Sequence, residues 1–223
     1  MTDTTPGRPG RPRRSAAELA AERRRVAREA LRLFARQGVA GTSADDVARA
    51  AGVSVRTFWR LFPRKEDAVR PLLEDGVVAV AANVRARGLA GFRATGAGAP
   101  TDGAPAVDDA ASIGTLVRLT RTEPAVRAVW LEVHDGAEAV FADALAASRH
   151  EDEPGLGTRA TAAVVNAVLR VAVEEWAWRE APPGPPPAEA LARLVDEALR
   201  LAGEALDPRG SGAPEAAPGS RAD

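Results

Sequence analysis

The 223-residue sequence predicts an all-α fold, and three observations predict it. Apolar residues recur at intervals of three and four through most of the chain, the pattern of helices with one buried face. No long β-branched or alternating stretch interrupts that pattern. Glycine and proline fall mainly between the periodic stretches, at Gly38, Gly52, Pro63, Pro124 and the run PPGPPP at 182–187, where they punctuate rather than disrupt.

Each element can be justified in turn. Residues 1–14 are rich in Pro, Gly and Arg and read as a disordered basic arm. Ser15 and Glu18 have capping-box spacing, so a helix is expected from Ala16 to Gln37, with Leu19, Val26, Ala30, Leu33 and Phe34 on one face. Residues 42–66, TSADDVARAAGVSVRTFWRLFPRKE, then compress two short helices around a tight turn. Ser43 can cap the first. Gly52 sits where the chain must take positive φ. Val53 can plug the turn, and Ser54 can cap a second helix that points Phe58 and Phe62 inward. Pro63 stops it. Two short helices crossing at such a turn form a helix-turn-helix, the second helix of which lies in the DNA major groove. An ordinary helical hairpin with a solvated Arg face is the competing reading of the spacing alone.

Further on, a fourth helix is expected from near Lys65 to about Arg87, then a Gly/Ala/Pro/Thr-rich loop at 88–107. Helices follow at 108–122, 124–133, 136–149, 157–181 and 187–206, with Asp135-Gly136 breaking an otherwise long helical stretch. Residues 207–223 lack periodicity and read as a disordered tail. The domains are thus a basic arm (1–14), a helix-turn-helix domain (15–64) and a helical domain (65–206) that ends at the tail.

Charge divides the chain in the same place. The net charge is −1, but residues 1–70 hold 16 Lys/Arg against 8 Asp/Glu, and the remainder 14 against 23. A basic N-terminal third suits a polyanion; the acidic remainder does not. Among the basic residues only Lys65 is lysine. There is no Cys, so neither disulfides nor thiolate ligands are available, and two histidines, His134 and His150, are too few for most His-based metal sites. No cofactor or metal is expected. The N-terminus has no apolar signal segment and no apolar run approaches the roughly 18 residues of a membrane span. A cytoplasmic protein with no membrane partner is expected. Phosphate-binding loops, zinc-protease helices and nucleophile elbows are missing, which disfavours an enzyme.

The order Phe34, Gly38, Thr42-Ser43, Val47-Ala48, Ala51-Gly52-Val53-Ser54 and Thr57-Phe58-Trp59-Arg60-Leu61-Phe62-Pro63-Arg64-Lys65-Glu66 resembles the TetR/AcrR family of one-component transcriptional regulators. The resemblance is specific over about residues 18–75 and architectural beyond residue 90. It implies three N-terminal helices that bind DNA, and a fourth that joins them to a ligand-binding, dimerising domain. It also implies a dimer on a palindromic operator, usually repressing, released when a small molecule changes the separation of the recognition helices. An architectural DNA-binding protein without an effector is the alternative. One departure stands out: the family's aromatic hydroxyl is replaced by Trp59 and its following Tyr or His by Leu61, and the chain has no Tyr at all.

The candidate DNA-binding residues are Thr42, Ser43, Ser54, Val55, Arg56, Thr57, Trp59, Arg60 and Lys65. Arg56 is first choice for a base, with Thr57 and Val55 behind it. The resemblance gives Lys65 a phosphate at the start of the fourth helix. The arm's Arg8, Arg11, Arg13 and Arg14 can lie in a minor groove. Candidate effector contacts are Leu116, Leu119, Trp130, His134, Phe141, Asn166, Arg170 and Trp176, which together suggest a largely apolar ligand. Helices 157–181 and 187–206 carry more apolar surface than one core-facing stripe needs, so a homodimer through them is expected.

Overall fold

The computed structural model describes residues 15–95, 110–179 and 188–206. Helices make up nearly all of these: α1 (Ala16–Gln37), α2 (Ala44–Ala50), α3 (Val55–Leu61), α4 (Arg70–Thr95), α5 (Ala110–Thr122), α6 (Pro124–Ser148), α7 (Leu156–Trp178) and α8 (Ala188–Leu206). A single 3-10 turn, Glu66–Val69, joins α3 to α4. No strand occurs among the described residues.

Local chemistry sets the N-terminal boundaries. Ser15 and Glu18 close a reciprocal capping box, each side chain accepting from the other's backbone N–H at 3.2 and 2.8 Å. Ser43 and Asp46 do the same at α2, at 3.1 and 3.0 Å. Behind α2, the Val53 N–H reaches the Ala48 carbonyl at 2.9 Å and the Gly52 N–H reaches Arg49 at 3.2 Å. This paired closure needs a left-handed residue between them, and Gly52 supplies it with φ of 63°.

Phe34, Val47, Phe58, Phe62 and Val69 are fully buried in one core that continues into the near end of the second half, through Leu116, Val117, Val126, Val129, Trp130 and Trp176. A second core, around Val84, Phe92, Phe141, Leu145, Val165, Leu169 and Val195, joins α4, α6, α7 and α8. α6 packs against both α4 and α7, so it is the central rod of the second half.

Three expectations from sequence are corrected. The fourth helix does not begin at Lys65: the 3-10 turn intervenes, and α4 starts at Arg70. Nor does it end at Arg87. Gly88 takes φ of 65° and kinks the chain, but helical backbone resumes to Thr95 because Phe92 is drawn fully into the second core. The remainder of the expected loop falls among residues 96–109, outside those described. Asp135-Gly136 is not a break. α6 runs straight through it, since Val133, His134, Ala137 and Phe141 are all buried along one side. That burial outweighs the roughly 1 kcal/mol a mid-helix glycine costs. One helix, α7, is by length and composition alone long and apolar enough to cross a membrane, a test that a core helix also passes. The arm 1–14, the connector 180–187 and the tail 207–223 lie outside the described residues.

Candidate nucleic-acid interface

The turn after α2 and the Ser54 cap fix where α3 begins. Ser54 Oγ accepts from the Thr57 N–H at 3.0 Å and sits 2.8 Å from Thr57 Oγ1, so Thr57's hydroxyl is already engaged. Phe58 and Leu61 anchor α3 to the core, with Phe62 as its C-cap, also buried. Arg23 of α1 lies over the Phe62 ring at 5.1 Å and donates to the Leu61 carbonyl at 3.4 Å. The Arg25 guanidinium donates to the Ala51 carbonyl, tying α1 to the turn itself.

This packing leaves Val55, Arg56, Trp59 and Arg60 facing outward. Arg24 is spent on Asp75, at 2.5 and 2.7 Å, and Arg49 on Asp46, at 3.1 Å. Arg56 and Arg60 have no hydrogen-bond or ion-pair partner among the described residues. A free guanidinium early on an exposed helix can reach guanine O6 and N7 with two bonds.

Two of the sequence candidates are placed differently. Thr42 is 1% exposed, and its hydroxyl donates to the Gly38 carbonyl at 2.8 Å, so it faces the protein rather than the surface. Lys65 bends back to donate to the carbonyls of Val39 at 2.7 Å and Thr42 at 2.9 Å. It fastens the α1–α2 turn to the end of the recognition unit and is not poised at the first turn of α4. Ser43 remains exposed, its hydroxyl shared between the Asp46 backbone and carboxylate. That hydroxyl holds the Asp46 carboxyl below its usual range.

The second half contains a polar ladder between α6 and α7. Glu174 is 7% exposed and accepts from Trp130 Nε1 at 2.9 Å, from Arg127 at 3.4 Å and from Arg170 at 3.3 Å. One turn away, His134 Nδ1 lies 2.7 Å from Asn166 Oδ1, and Asn166 Nδ2 donates to the His134 carbonyl at 2.8 Å. Burial, against a raising bond from Asn166, lowers the His134 pKa. The structure therefore brings Trp130, His134, Asn166 and Arg170 together. It leaves Leu116, Leu119 and Trp176 on the α5 side and Phe141 in the second core. Trp176 packs where Gly114 leaves room, a Cβ there lying 3.1 Å from Cη2, and its buried indole N–H has no partner among the described residues.

Sequence reasoning missed Glu174, Arg127, Glu132 and Glu123. Glu132 accepts from Arg64 at 2.9 Å and also from Arg70, while Asp67, buried at the same junction, accepts from Arg64 at 2.8 and 3.0 Å. Burial pushes the Asp67 carboxyl up, but the hydrogen bonds from Arg64 and Arg70 outweigh it and leave it lowered. Glu123, the N-cap residue of α6, accepts the Val39 N–H at 3.2 Å. Arg170 and Glu174 were legible as an i,i+4 pair; the others meet only once the helices dock.

A capped short helix, a glycine-closed turn and a second short helix with an unspent basic face define the helix-turn-helix class of DNA-binding modules. Residues 27–70 match the bacterial regulatory proteins of the tetR family. Over 185 residues the chain is 34% identical to the HTH-type transcriptional regulator TcmR of Streptomyces glaucescens, covering 78% of this chain and 80% of that protein. Among solved structures it is similar to Thermus thermophilus FadR, a TetR family transcriptional repressor in complex with lauroyl-CoA, with TM-score 0.44, 21% identity, and 89% of this chain and all of that chain covered. A TetR transcriptional regulator from Rhodococcus sp. RHA1 gives TM-score 0.43 and 16% identity over 82% of this chain and 97% of that one. The chain belongs to the tetR family of bacterial regulatory proteins and is a DNA-binding transcriptional regulator.

Proposed function

We propose that this regulator works in the cytoplasm as a homodimeric repressor that occupies a two-fold operator and leaves it when a small molecule binds the second half. The observation that carries the DNA side is the outward face of α3, where Arg56 and Arg60 have no partner among the described residues and stand beside Val55 and Trp59. Arg56 reads a base; Ser43, Ser54, Thr57, Arg60 and the arm's Arg8, Arg11, Arg13 and Arg14 supply cap, backbone and phosphate contacts. Thr42 and Lys65 support this face from behind, through Gly38, Val39 and the Thr42 carbonyl.

Support for the dimer comes from α7. Val164 and Val171 are 36% and 52% exposed, seven residues apart and so on one side of the helix, and Leu201 of α8 is 49% exposed. Two-fold pairing of α7 and α8 would cover them and fix the spacing of two recognition helices. Half-sites about 34–36 Å apart, or a multiple, are the requirement that spacing meets. The effector contacts are Trp130, His134, Asn166 and Arg170, with Leu116, Leu119 and Trp176 apart on the α5 side and Phe141 in the second core, a set that suits a mostly apolar molecule carrying a hydrogen-bonding group.

Selection of bound duplexes from a random pool by the full chain tests the DNA reading. A defined two-fold sequence is expected, and Arg56→Ala should relax one position of each half-site at a cost of about 1–3 kcal/mol. A pool without enrichment would refute it. Release of the selected duplex by members of a metabolite panel tests the effector.

A further inference from the structure

Beyond a basic face, α3 presents two parallel columns. Successive residues of a helix are about 100° apart, so Val55 and Trp59 lie roughly 40° from each other on one side of the exposed arc. Arg56 and Arg60 form the same pair one position round. Val55 is 38% and Trp59 49% exposed, so two apolar side chains stand on the outer side of a helix whose other face is already packed. Trp59 does not swing freely: its ring meets Phe58 edge-on, with centroids 5.2 Å apart at 84°, and Phe58 is fully buried.

We propose that the Val55–Trp59 column reads the 5-methyl groups of thymines in the major groove, alongside the basic column in which Arg56 is directed to guanine and Arg60 to the backbone, so that the half-site is thymine-rich next to guanine. The inference rests on the DNA-binding reading above. The thymine methyl is the apolar group that a base pair displays on the major-groove floor, and an apolar side chain gains by covering it. The two side chains are about 6 Å apart along the helix, less than two base-pair steps of about 3.4 Å, so the thymines they cover are adjacent or separated by one pair. The basic column supplies the complementary charge that brings this apolar column against a polyanion, and it identifies the occupant as duplex DNA rather than another protein surface. The competing role for Trp59 is an indole N–H donated to a phosphate. The two roles differ in what they ask of the side chain: methyl contact needs a ring, phosphate contact needs the N–H.

The test uses the full chain and the duplex obtained by selection. Each thymine of a half-site is replaced in turn by deoxyuridine, which removes only the methyl. One or two positions are expected to lose about fourfold in affinity each, the effect of uncovering one methyl-sized group. In Trp59→Ala or Val55→Ala the loss at the matching position disappears, and in Trp59→Phe it persists. Deoxyuridine without effect at every thymine overturns the proposal, as does a selected half-site without thymine. Trp59→Phe binding as poorly as Trp59→Ala also overturns it, in favour of the phosphate role. Enrichment of a defined duplex in any of these cases leaves the DNA-binding reading standing. No enrichment at all defeats both.

Discussion

Glu132, in α6, holds its carboxylate 2.9 Å from the guanidinium of Arg64, three residues past the end of α3. The bond spans the two halves of the molecule. Arg70 reaches the same carboxylate, and Asp67 holds both arginines from below. These hydrogen bonds, Arg64's first, keep the Glu132 carboxyl below its usual range. The Arg64–Glu132 pair is exposed on both sides, so position rather than stability is what that pair provides.

Glu132→Gln keeps the size and removes the charge. Its melting temperature should stay close to the parent's, while operator binding changes. In a double-mutant cycle with Arg64→Gln, the two effects on operator affinity should be non-additive. Strict additivity would show that the pair does not link α6 to the DNA-binding unit.

Lys65→Met retains the aliphatic stem and removes the donors to Val39 and Thr42. Urea unfolding should show a loss of about 1–3 kcal/mol, with the salt dependence of DNA binding nearly unchanged. Unchanged stability with a salt slope reduced by about one unit would instead put the ammonium on a phosphate.

Val171→Asp places a charge on the outer side of α7 without entering the core. Light scattering should give twice 23.2 kDa for the parent chain and the monomer mass for the variant, with helical circular dichroism intact. A parent chain that is monomeric at micromolar concentration would end the dimer proposal.

Acid should destabilise the protein through His134. Its folded pKa lies below the ordinary value, mainly because burial disfavours the charged ring. The unfolded chain therefore binds the proton first, and the contribution is fully present above about pH 6.5 and is lost as pH falls through the lower folded value. The imidazole signal should titrate below 6.5 in the native state, and His134→Gln should flatten the stability profile over that window. A native titration at or above 6.5 would contradict the assignment.

What could be read in the sequence was what is local. Ser15 with Glu18, Gly52 and Ser54 each act within a few residues, and their residue types declare the job. Asp135-Gly136 misled because its local preference for a break is overruled by Val133, Ala137 and Phe141 meeting partners on other helices. Lys65 misled for a related reason: Val39 and Thr42 are more than twenty positions away, and nothing near Lys65 announces them. Glu174 hid in plain view, as one of two adjacent glutamates whose burial only α6 decides.

The first three turns of α6 serve two neighbours at once. Between Glu123 and His134 the helix grips the Val39 turn and the Arg64–Arg70 junction on one side, and lends Arg127, Trp130 and His134 to the ladder on the other. On the effector site proposed above, a lineage that reshapes these twelve residues to accept a new molecule also disturbs the seating of its DNA-binding unit. With the effector placed there, ligand preference and regulatory output should drift together in descendants of this chain.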